Sequence, residues 1–471
     1  MATIQFFGAA RVVTGSKHLI TTASGKKLLL DCGLFQGRLD NRDEMNRDFG
    51  FEPHEIDYVI LSHAHIDHSG LLPRLIKLGF RGIIFATPAT ISLCEIMLLD
   101  SAHIQTEDLK HINKRRAKRD EEIIEPLYDV LDVEKTLDLM VPVEYDETIT
   151  IDKDIQLTFT DAGHLLGSAV VNIDVNCQKG RKTKITFTGD IGRFNDQILR
   201  SPQPFRQCDI LICESTYGNR LHPKTNDIET QLLNVIRKTC VEQKGKLIIP
   251  AFSVDRTQDL VYMLDKFANA GLLPKIKVFV DSPLSVKATG VIKKHDECYN
   301  ETFLAYMRVD ADPFGFKNLT YVSDVNQSKA INDIKEPCII ISASGMAEAG
   351  RIKHHIANNI QNPNNTILMV GYCTPESLGG RLKAGATEVK IFGEMYKVIA
   401  DVVSMDYFSA HADYGEIITF LSKQKANKVQ QVFLVHGELD AQESLKTKLQ
   451  DIGYKNIAIP RMKETFNLGH C

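Results

Sequence analysis

The run LSHAHIDHSG constrains the fold and chemistry of this chain more than any other segment. It overlaps the end of the apolar stretch YVILS, whose β-branched and aliphatic residues predict a buried strand. His63 and His65 are two positions apart, so they point the same way from an extended strand end. Asp67 and His68 follow on a turn before a predicted helix. One loop therefore offers two pairs of ligands, and imidazole with carboxylate is a ligand set that zinc favours.

Three further residues that could bind a metal follow strand-like runs along the chain. His164 lies in the glycine-flanked turn of DAGHLLGSA, Asp190 follows ITFTG, and His436 follows QVFLV. Each alone would more often be structural, but with the first loop they complete a set for two zinc ions that share a water or hydroxide. We predict that one ion binds His63, His65 and His164, the other binds Asp67, His68 and His436, and Asp190 bridges them.

An additional carboxylate, Asp31, ends the apolar run LLLD. We predict that it hydrogen-bonds a ligand histidine or a water and fixes its orientation, as outer carboxylates do around zinc. We predict that Asp31, through this orienting role, and Asp67, as a metal ligand, are both catalytic residues.

The alternation of strands and helices predicts an α/β protein with an inserted domain. From about 225 to 385, strand runs such as KLIIP and TILMV alternate with helical segments, which indicates a parallel sheet. Strand runs with loop-borne histidines resume afterwards in VVSMDYFSAH and QQVFLVHGE. We predict one domain from 1–207 and 394–471, and a second from 208–393. Predicted helices lie near 91–120, 225–242, 256–270, 351–361 and 413–423.

Composition indicates the compartment and excludes some chemistry. The formal net charge of −4 does not mark a nucleic-acid binder, but it leaves room for a local basic cleft. The ten cysteines are scattered without a CxxC pair, so we expect free thiols in a reducing cytoplasm rather than zinc ligands. No run of about 18 apolar residues and no signal-peptide pattern are present, so we expect a cytoplasmic protein without membrane contact.

These motifs, in this order, resemble the metallo-β-lactamase superfamily. Glu214 in ICESTYG is similar to motif A of its nucleic-acid-processing β-CASP branch, FSAHADY with His411 to motif B, and LVHGE with His436 to motif C. PAFSVDRTQDL, VDSPLS and SASGMAEAGR also resemble β-CASP signatures, so the resemblance covers nearly the whole chain. It implies an αββα sandwich with a dinuclear zinc site, interrupted by an inserted α/β β-CASP domain.

The resemblance also implies a substrate and a mechanism. RNA-processing members carry histidine at motif C where DNA-acting members tend to carry valine, so His436 favours RNA. The chain is similar to prokaryotic relatives of the endonuclease subunit of the mRNA 3′-end cleavage factor. We expect a ribonuclease in which a metal-bridging hydroxide attacks the phosphodiester and His411 is the general acid, oriented by Glu214. Endonuclease action, 5′→3′ exonuclease action and a homodimer are all left open.

The inserted domain offers candidate contacts for a substrate phosphate. The small-residue loop SASGM follows the strand PCIIIS and opens a helix, so its backbone N–H groups can bind an anion. These residues are Ser344, Gly345 and Met346. Arg256 and Arg351 are the candidate side chains. Asp255 occupies a position that is often small and neutral in members of the family that the chain resembles.

Two alternative functions remain at this stage. A metallohydrolase of a small ester or thioester would use the same metal chemistry, but it has no need of motifs A and B or of the inserted domain. A non-catalytic scaffold for RNA processing would be expected to have lost ligands, whereas this chain has all seven predicted ligands and His411.

Overall fold

A computed structural model of the 471-residue chain describes residues 2–37, 41–176, 182–223, 227–405, 407 and 409–468. It divides into two compact units, Met1–Leu221 with Ala410–Cys471, and His222–Ser409. The domain boundaries expected at 208 and 393 stay predictions.

Short strands form the framework of both units. Within the described ranges they are β1 (Thr3–Phe6), β2 (His18–Thr21), β3 (Lys27–Leu30), β4 (Tyr58–Ile60), β5 (Ile83–Ala86), β6 (Met140–Pro142), β7 (Thr148–Asp152), β8 (Ile155–Asp161), β9 (Ala169–Asn176), β10 (Lys182–Phe187), β11 (Ile210–Glu214), β12 (Leu247–Pro250), β13 (Lys277–Val280), β14 (Leu319–Tyr321), β15 (Cys338–Ser342), β16 (Thr366–Val370), β17 (Glu388–Ile391), β18 (Glu394–Lys397), β19 (Asp401–Met405), β20 (Gln431–Val435), β21 (Ile457–Ala458) and β22 (Thr465–Asn467).

Helices connect these strands. They are α1 (Arg42–Arg47), α2 (Ile66–Ser69), α3 (Leu72–Lys77), α4 (Pro88–Ala117), α5 (Val130–Asp138), α6 (Ile228–Ile236), α7 (Arg256–Asn269), α8 (Pro283–Ile292), α9 (Glu301–Met307), α10 (Val325–Asp333), α11 (Ile352–Asn359), α12 (Leu378–Lys383), α13 (Tyr414–Leu421) and α14 (Leu439–Asp451). The five predicted helices are confirmed, with one difference: the segment predicted over 225–242 is α6 followed by a π-helix, Arg237–Glu242.

The first unit contains two seven-stranded sheets that pack face to face. One has the strand order β22-β1-β2-β3-β4-β5-β6 and the other β21-β20-β11-β10-β9-β8-β7. Apolar side chains of both sheets share one buried core, in which the rings of Phe6 and Phe433 lie 5.1 Å apart. In the second of these sheets, β7, β8 and β9 pair antiparallel in sequence order.

Helices cover the outer face of each sheet in this unit. Ile417 and Phe420 of α13 and Leu445 of α14 pack in a second core against Leu211 of β11 and Leu434 of β20. On the other sheet, α4 contacts β6 and α5 packs against α3 and α4. The layers are therefore αββα, and the α/β fold class is confirmed.

The second unit has a six-stranded parallel sheet, ordered β14-β13-β15-β12-β16-β19, and a separate hairpin of β17 and β18. Its central strands, such as CIIIS and TILMV, are buried along their whole length. Continuous apolar strands of this kind are typical of parallel sheets covered on both faces. Among the helices of the described ranges, none has both the length and the apolar character needed to span a membrane.

Candidate metal centre

The first predicted ligand group converges at one point of the first unit. His65 Nδ1 lies 3.1 Å from His63 Nε2 and 3.2 Å from His164 Nε2. Asp190 Oδ2 lies 3.5 Å from His63 Nε2 and 3.4 Å from His164 Nε2. Tetrahedral zinc with bonds of about 2.0–2.1 Å requires ligand atoms about 3.4 Å apart. The four atoms therefore have the spacing that one ion needs.

The second predicted group lies directly beside the first. His68 Nε2 is 3.1 Å from His436 Nε2, and His436 Nε2 is 3.4 Å from Asp67 Oδ2. His68 Nε2 is also 3.3 Å from Asp190 Oδ2, so this carboxylate borders both groups. The structure thus brings together all seven residues that the sequence singled out, and their role as metal ligands stays a prediction.

The orphaned oxygen of Asp190 also fits a bound cation. Asp190 is 2% exposed, and its Oδ1 is buried without a hydrogen-bond partner among the described residues. His436 Nδ1 lies 3.5 Å from this oxygen, without hydrogen-bond geometry. A buried carboxylate oxygen is costly to leave unsatisfied, and a metal ion would remove that cost.

Strand ends place these ligands. His63 and His65 follow β4, and α2 begins immediately after His65, so that Asp67 and His68 project from its single turn. Asp190 follows β10 and His436 follows β20, where the backbone φ of His436 is +53°. The parallel pairing of β10, β11 and β20 brings their carboxyl ends to one edge, as expected for functional loops on a sheet.

Asp31 lies behind the second ligand group, where it was expected to orient a histidine. Its Oδ2 accepts hydrogen bonds from His68 Nδ1 at 2.6 Å and from Ser62 Oγ at 2.9 Å. Its Oδ1 accepts from the Ser62 backbone N–H at 2.8 Å. The bond to Nδ1 leaves His68 Nε2 directed toward the other ligands, which is the tautomer that a metal requires.

Two hydroxyl residues that the sequence analysis missed orient other histidines. Ser62 Oγ is 3.0 Å from His63 Nδ1, and since it donates to Asp31 it accepts from that nitrogen. Thr216 Oγ1 donates to the His436 carbonyl at 3.1 Å and accepts from His436 Nδ1 at 3.0 Å. The only sequence signal was their position beside the motifs, in LSH and CEST.

Burial keeps the first ligand group neutral. Desolvation lowers the pKa of His63 and His164 well below the usual value and that of His65 to about 4. Burial raises the pKa of Asp190, but electrostatic interactions with His436 and His68 outweigh it and hold the pKa well below the usual range. Neutral imidazoles beside an ionised carboxylate are the protonation states in which these groups bind metals.

His411 and Glu214 stand beside the two ligand groups. His411 Nδ1 lies 3.4 Å from Glu214 Oε1 and 3.9 Å from Asp190 Oδ2. Burial lowers the pKa of His411, but the charges of Glu214, Asp190 and Asp67 outweigh it and raise the pKa to about 9. A protonated imidazole held by a buried carboxylate can donate a proton. The same spacing also suits a metal ligand, because Asp190, Glu214, His411 and His436 have ligand atoms within 4.8 Å of one another.

The predicted phosphate loop lies in the second unit, between β15 and α11. Ser344 donates its backbone N–H to Ala349 O at 3.2 Å, so this donor is already used. A β-carbon on Gly345 would lie 2.8 Å from the ring of Phe252, which explains the need for glycine there. The phosphate contacts of Ser344, Gly345 and Met346 stay predictions.

The two candidate arginines of this unit have internal partners. Arg256 is 6% exposed, and its guanidinium pairs with Asp255 at 3.2 Å and with Asp259. Arg351 donates to Asp281 at 2.6 Å and to the carbonyl of Ser323 at 2.5 Å. Both guanidinium groups therefore hold their own unit together, and the expected phosphate contacts of Arg256 and Arg351 stay predictions.

The αββα layers and the buried histidine–carboxylate cluster define a class of protein, the metal-dependent hydrolases. Family models match along the chain in the order expected. Residues 19–208 match a metallo-β-lactamase superfamily domain, 257–382 match a β-CASP domain, and 395–460 match a Zn-dependent metallo-hydrolase RNA specificity domain.

Relatives match over almost the whole chain. "Ribonuclease TTHA0252" of Thermus thermophilus is 34% identical over 92% of this chain and 92% of its own length. "Transcription termination factor FttA" of Methanosarcina mazei is 29% identical over 95% of this chain and 69% of its own. "Cleavage and polyadenylation specificity factor 73" of Drosophila melanogaster is 29% identical over 95% of this chain and 61% of its own. The chain belongs to the β-CASP branch of the metallo-β-lactamase superfamily.

A solved structure of the same fold has little sequence in common with the chain. It is a protein of unknown function from Enterococcus faecalis, which matches with a TM-score of 0.53, 13% identity and 99% coverage of both chains. This likeness supports the architecture alone.

Proposed function

We propose that this protein is a zinc-dependent ribonuclease that hydrolyses RNA phosphodiester bonds. One observation carries the proposal: two adjacent ligand groups share Asp190, and the His411–Glu214 pair lies beside them. The names of the relatives and the RNA specificity domain model support RNA as the substrate.

Two zinc ions per chain suit the donor set. The first would be held by His63, His65 and His164, the second by Asp67, His68 and His436, and Asp190 would contact both. Bound zinc supplies Lewis acidity to a phosphoryl centre and lowers the pKa of water at the site.

The remaining steps belong to side chains of this protein. Asp31, Ser62 and Thr216 hold the ligand imidazoles in one tautomer. His411 donates a proton to the 3′-oxygen when the phosphorus–oxygen bond breaks. Glu214 binds His411 Nδ1 and also accepts the backbone N–H of Ile191 at 2.6 Å, so its carboxylate is itself fixed. A positioned proton donor of this kind contributes roughly 10²–10⁴-fold to the rate.

A digestion of end-labelled RNA tests the proposal. The purified protein should cleave the RNA but not a small lactone or thioester, and sizing the products separates internal cleavage from digestion from the 5′ end. His65→Ala removes a ligand of the first group and should abolish the cleavage. RNA turnover that persists in this variant, or preferred turnover of the small ester, would contradict the proposal.

A cytoplasmic location and a homodimer are further proposals, testable by cell fractionation and light scattering.

A further inference from the structure

A partly buried ion pair links the segment that carries His411 to the loop that carries Asp190. Glu416 lies in the first turn of α13, five residues after His411. Its carboxylate oxygens are 3.0 Å and 2.9 Å from Arg193 Nε, and Arg193 follows Asp190 in the motif GDIGR. The backbone N–H of Phe194 donates to the same carboxylate at 3.4 Å.

The same carboxylate completes a capping box at the start of α13. Glu416 Oε2 accepts the backbone N–H of Asp413 at 3.0 Å, and Asp413 Oδ1 accepts the backbone N–H of Glu416 at 2.9 Å. Such a reciprocal box satisfies two donors at a helix end. Here it also ties the loop before the helix to Arg193, because one carboxylate serves both contacts.

Backbone contacts extend this connection up to His411. Ala412 donates its N–H to Ile191 O at 2.8 Å, and Ala410 O accepts from His164 Nδ1 at 3.3 Å. His411 therefore lies between two residues that are bonded to the Asp190 loop and to a ligand histidine. Its side chain can keep its distance from Asp190 only while the two loops keep their register.

Burial distinguishes this pair from an ordinary surface ion pair. The side chain of Arg193 is 12% exposed and that of Glu416 is 17% exposed. Fully exposed pairs contribute little, whereas this pair is partly shielded from water, and its carboxylate also accepts two backbone N–H groups. Loss of either side chain should therefore move the loop rather than leave it in place.

We propose that Arg193 and Glu416 are positioning residues that fix the general acid His411 against Asp190 and Glu214. The inference rests on the proposed function. In the reaction the oxygen of the attacking water bonds to phosphorus, and the bond from phosphorus to the 3′-oxygen breaks. His411 gives its proton to that 3′-oxygen. The attacking water releases one proton to solvent, and solvent reprotonates His411. Displacement of His411 weakens only the proton transfer to the leaving group.

Comparison of two substrates isolates that step. RNA has a poor alkoxide leaving group that needs a proton, whereas bis(4-nitrophenyl) phosphate releases a stabilised phenolate that does not. We expect Glu416→Ala to lower kcat for RNA roughly 10–100-fold, the usual effect of a displacement near 1 Å. Its kcat for the aryl ester should fall by less than about threefold, since the ligand groups are intact. His411→Ala provides the reference for complete loss of the acid.

Two further variants separate position from general damage. Glu416→Gln keeps one carbonyl acceptor for the capping box but loses the charge that faces Arg193, so it should recover only part of the RNA activity. Asp132→Ala removes the matching capping box of α5, formed by Asp129 and Asp132, and should leave the substrate ratio unchanged. Arg193→Lys keeps the positive charge, and its kcat for RNA is expected to lie between those of wild type and Glu416→Ala.

Hydrogen exchange gives a readout that does not depend on activity. The Ala412 amide should exchange faster in Glu416→Ala than in wild type, with the same zinc content in both. Equal loss on both substrates, or unchanged RNA turnover and unchanged exchange, would overturn the inference. If wild type cleaves no RNA, the proposed function fails instead; if His411→Ala is selective for the ester and Glu416→Ala is not, the inference alone fails.

Discussion

Hydrogen-bond acceptors behind the imidazoles decide which ring nitrogen faces each ligand group. Asp31, Ser62 and Thr216 each contact the Nδ1 of one histidine, while His65 turns its own Nδ1 toward the other ligands. Partners of this kind typically contribute 10–100-fold to metal affinity or activity.

Thr216→Val should weaken the second ligand group. Valine has the same shape but cannot accept the His436 Nδ1 proton, so the imidazole loses its fixed tautomer. We expect zinc affinity at this position to fall by roughly 10–100-fold in competition with a chelator. Thr216→Ser keeps the hydroxyl and serves as the control. Equal zinc affinity in the valine variant would rule out this role for Thr216.

Sequence patterns identified the charged and imidazole residues of the site but not these hydroxyl partners. Histidines are rare and their spacing is informative, so HAHIDH stood out at once. Serine and threonine are common, and nothing in LSH or CEST distinguishes an orienting hydroxyl from a solvated one. Their role became visible only when β11 and β20 placed Thr216 against His436.

Lys17 makes the stability of the fold depend on pH. It is 1% exposed, its Nζ donates to Gly33 O at 2.9 Å, and burial lowers its pKa to about 7. In the unfolded chain its pKa is about 10.4, so between these values the unfolded state binds more protons. Burying the charged ammonium group therefore lowers the free energy of unfolding by its full amount below pH about 7. This loss of stability disappears as the pH rises toward about 10.4.

Comparison with Lys17→Met tests this pH dependence. The methionine side chain carries no charge, so the Lys17→Met variant should have the higher free energy of unfolding at pH ~6.5, where wild type buries a charged lysine. This difference between the two proteins should shrink by about 3 kcal/mol as the pH rises to ~9.5, because wild type becomes more stable. Denaturant titrations of both proteins at the two pH values measure it, because all other groups cancel in the difference. Parallel pH profiles would contradict the assignment.

At the scale of elements, the loops after β11 and β20 approach too closely for any side chain at position 437. A β-carbon on Gly437 would lie 2.6 Å from Ser215 Oγ and 2.7 Å from Ser215 O. The two loops carry Glu214, Thr216 and His436, so their close approach assembles motif A with motif C.

Gly437→Ala should separate these loops. Overpacking of this kind costs about 1–3 kcal/mol, so we expect a lower midpoint of thermal unfolding and weaker zinc binding by His436. Gly290→Ala in α8 is the matched control, because nothing lies within 4 Å of the added carbon and alanine favours a helix by up to ~1 kcal/mol. A midpoint and zinc affinity unchanged in Gly437→Ala would show that the loops adapt.

Element boundaries show where sequence patterns were sufficient. Apolar periodicity located α7 and α13 to within two residues. It did not separate α6 from the following π-helix, Arg237–Glu242, because both conformations present the same composition. Periodicity also could not show that Arg256 at the start of α7 pairs with Asp255 and Asp259, which depends on local geometry.

At the scale of the whole molecule, strands far apart in sequence assemble one centre. Loops after β3, β4, β8, β10, β11 and β20 all contribute to it, and α13 adds the contacts of Glu416. The sandwich itself followed from the family resemblance rather than from spacing, because pairing order is a non-local property. We propose that the assembled centre holds two zinc ions and that His411 acts beside them without binding them.

Zinc content and RNA turnover of His411→Ala test that claim most directly, because His411 also has the spacing of a ligand. We expect about two zinc ions per chain in both wild type and variant, and RNA turnover lower by roughly 10²–10⁴-fold in the variant. Loss of zinc in His411→Ala would show that His411 is a ligand, and unchanged turnover would show that it is not the acid; either result contradicts the account.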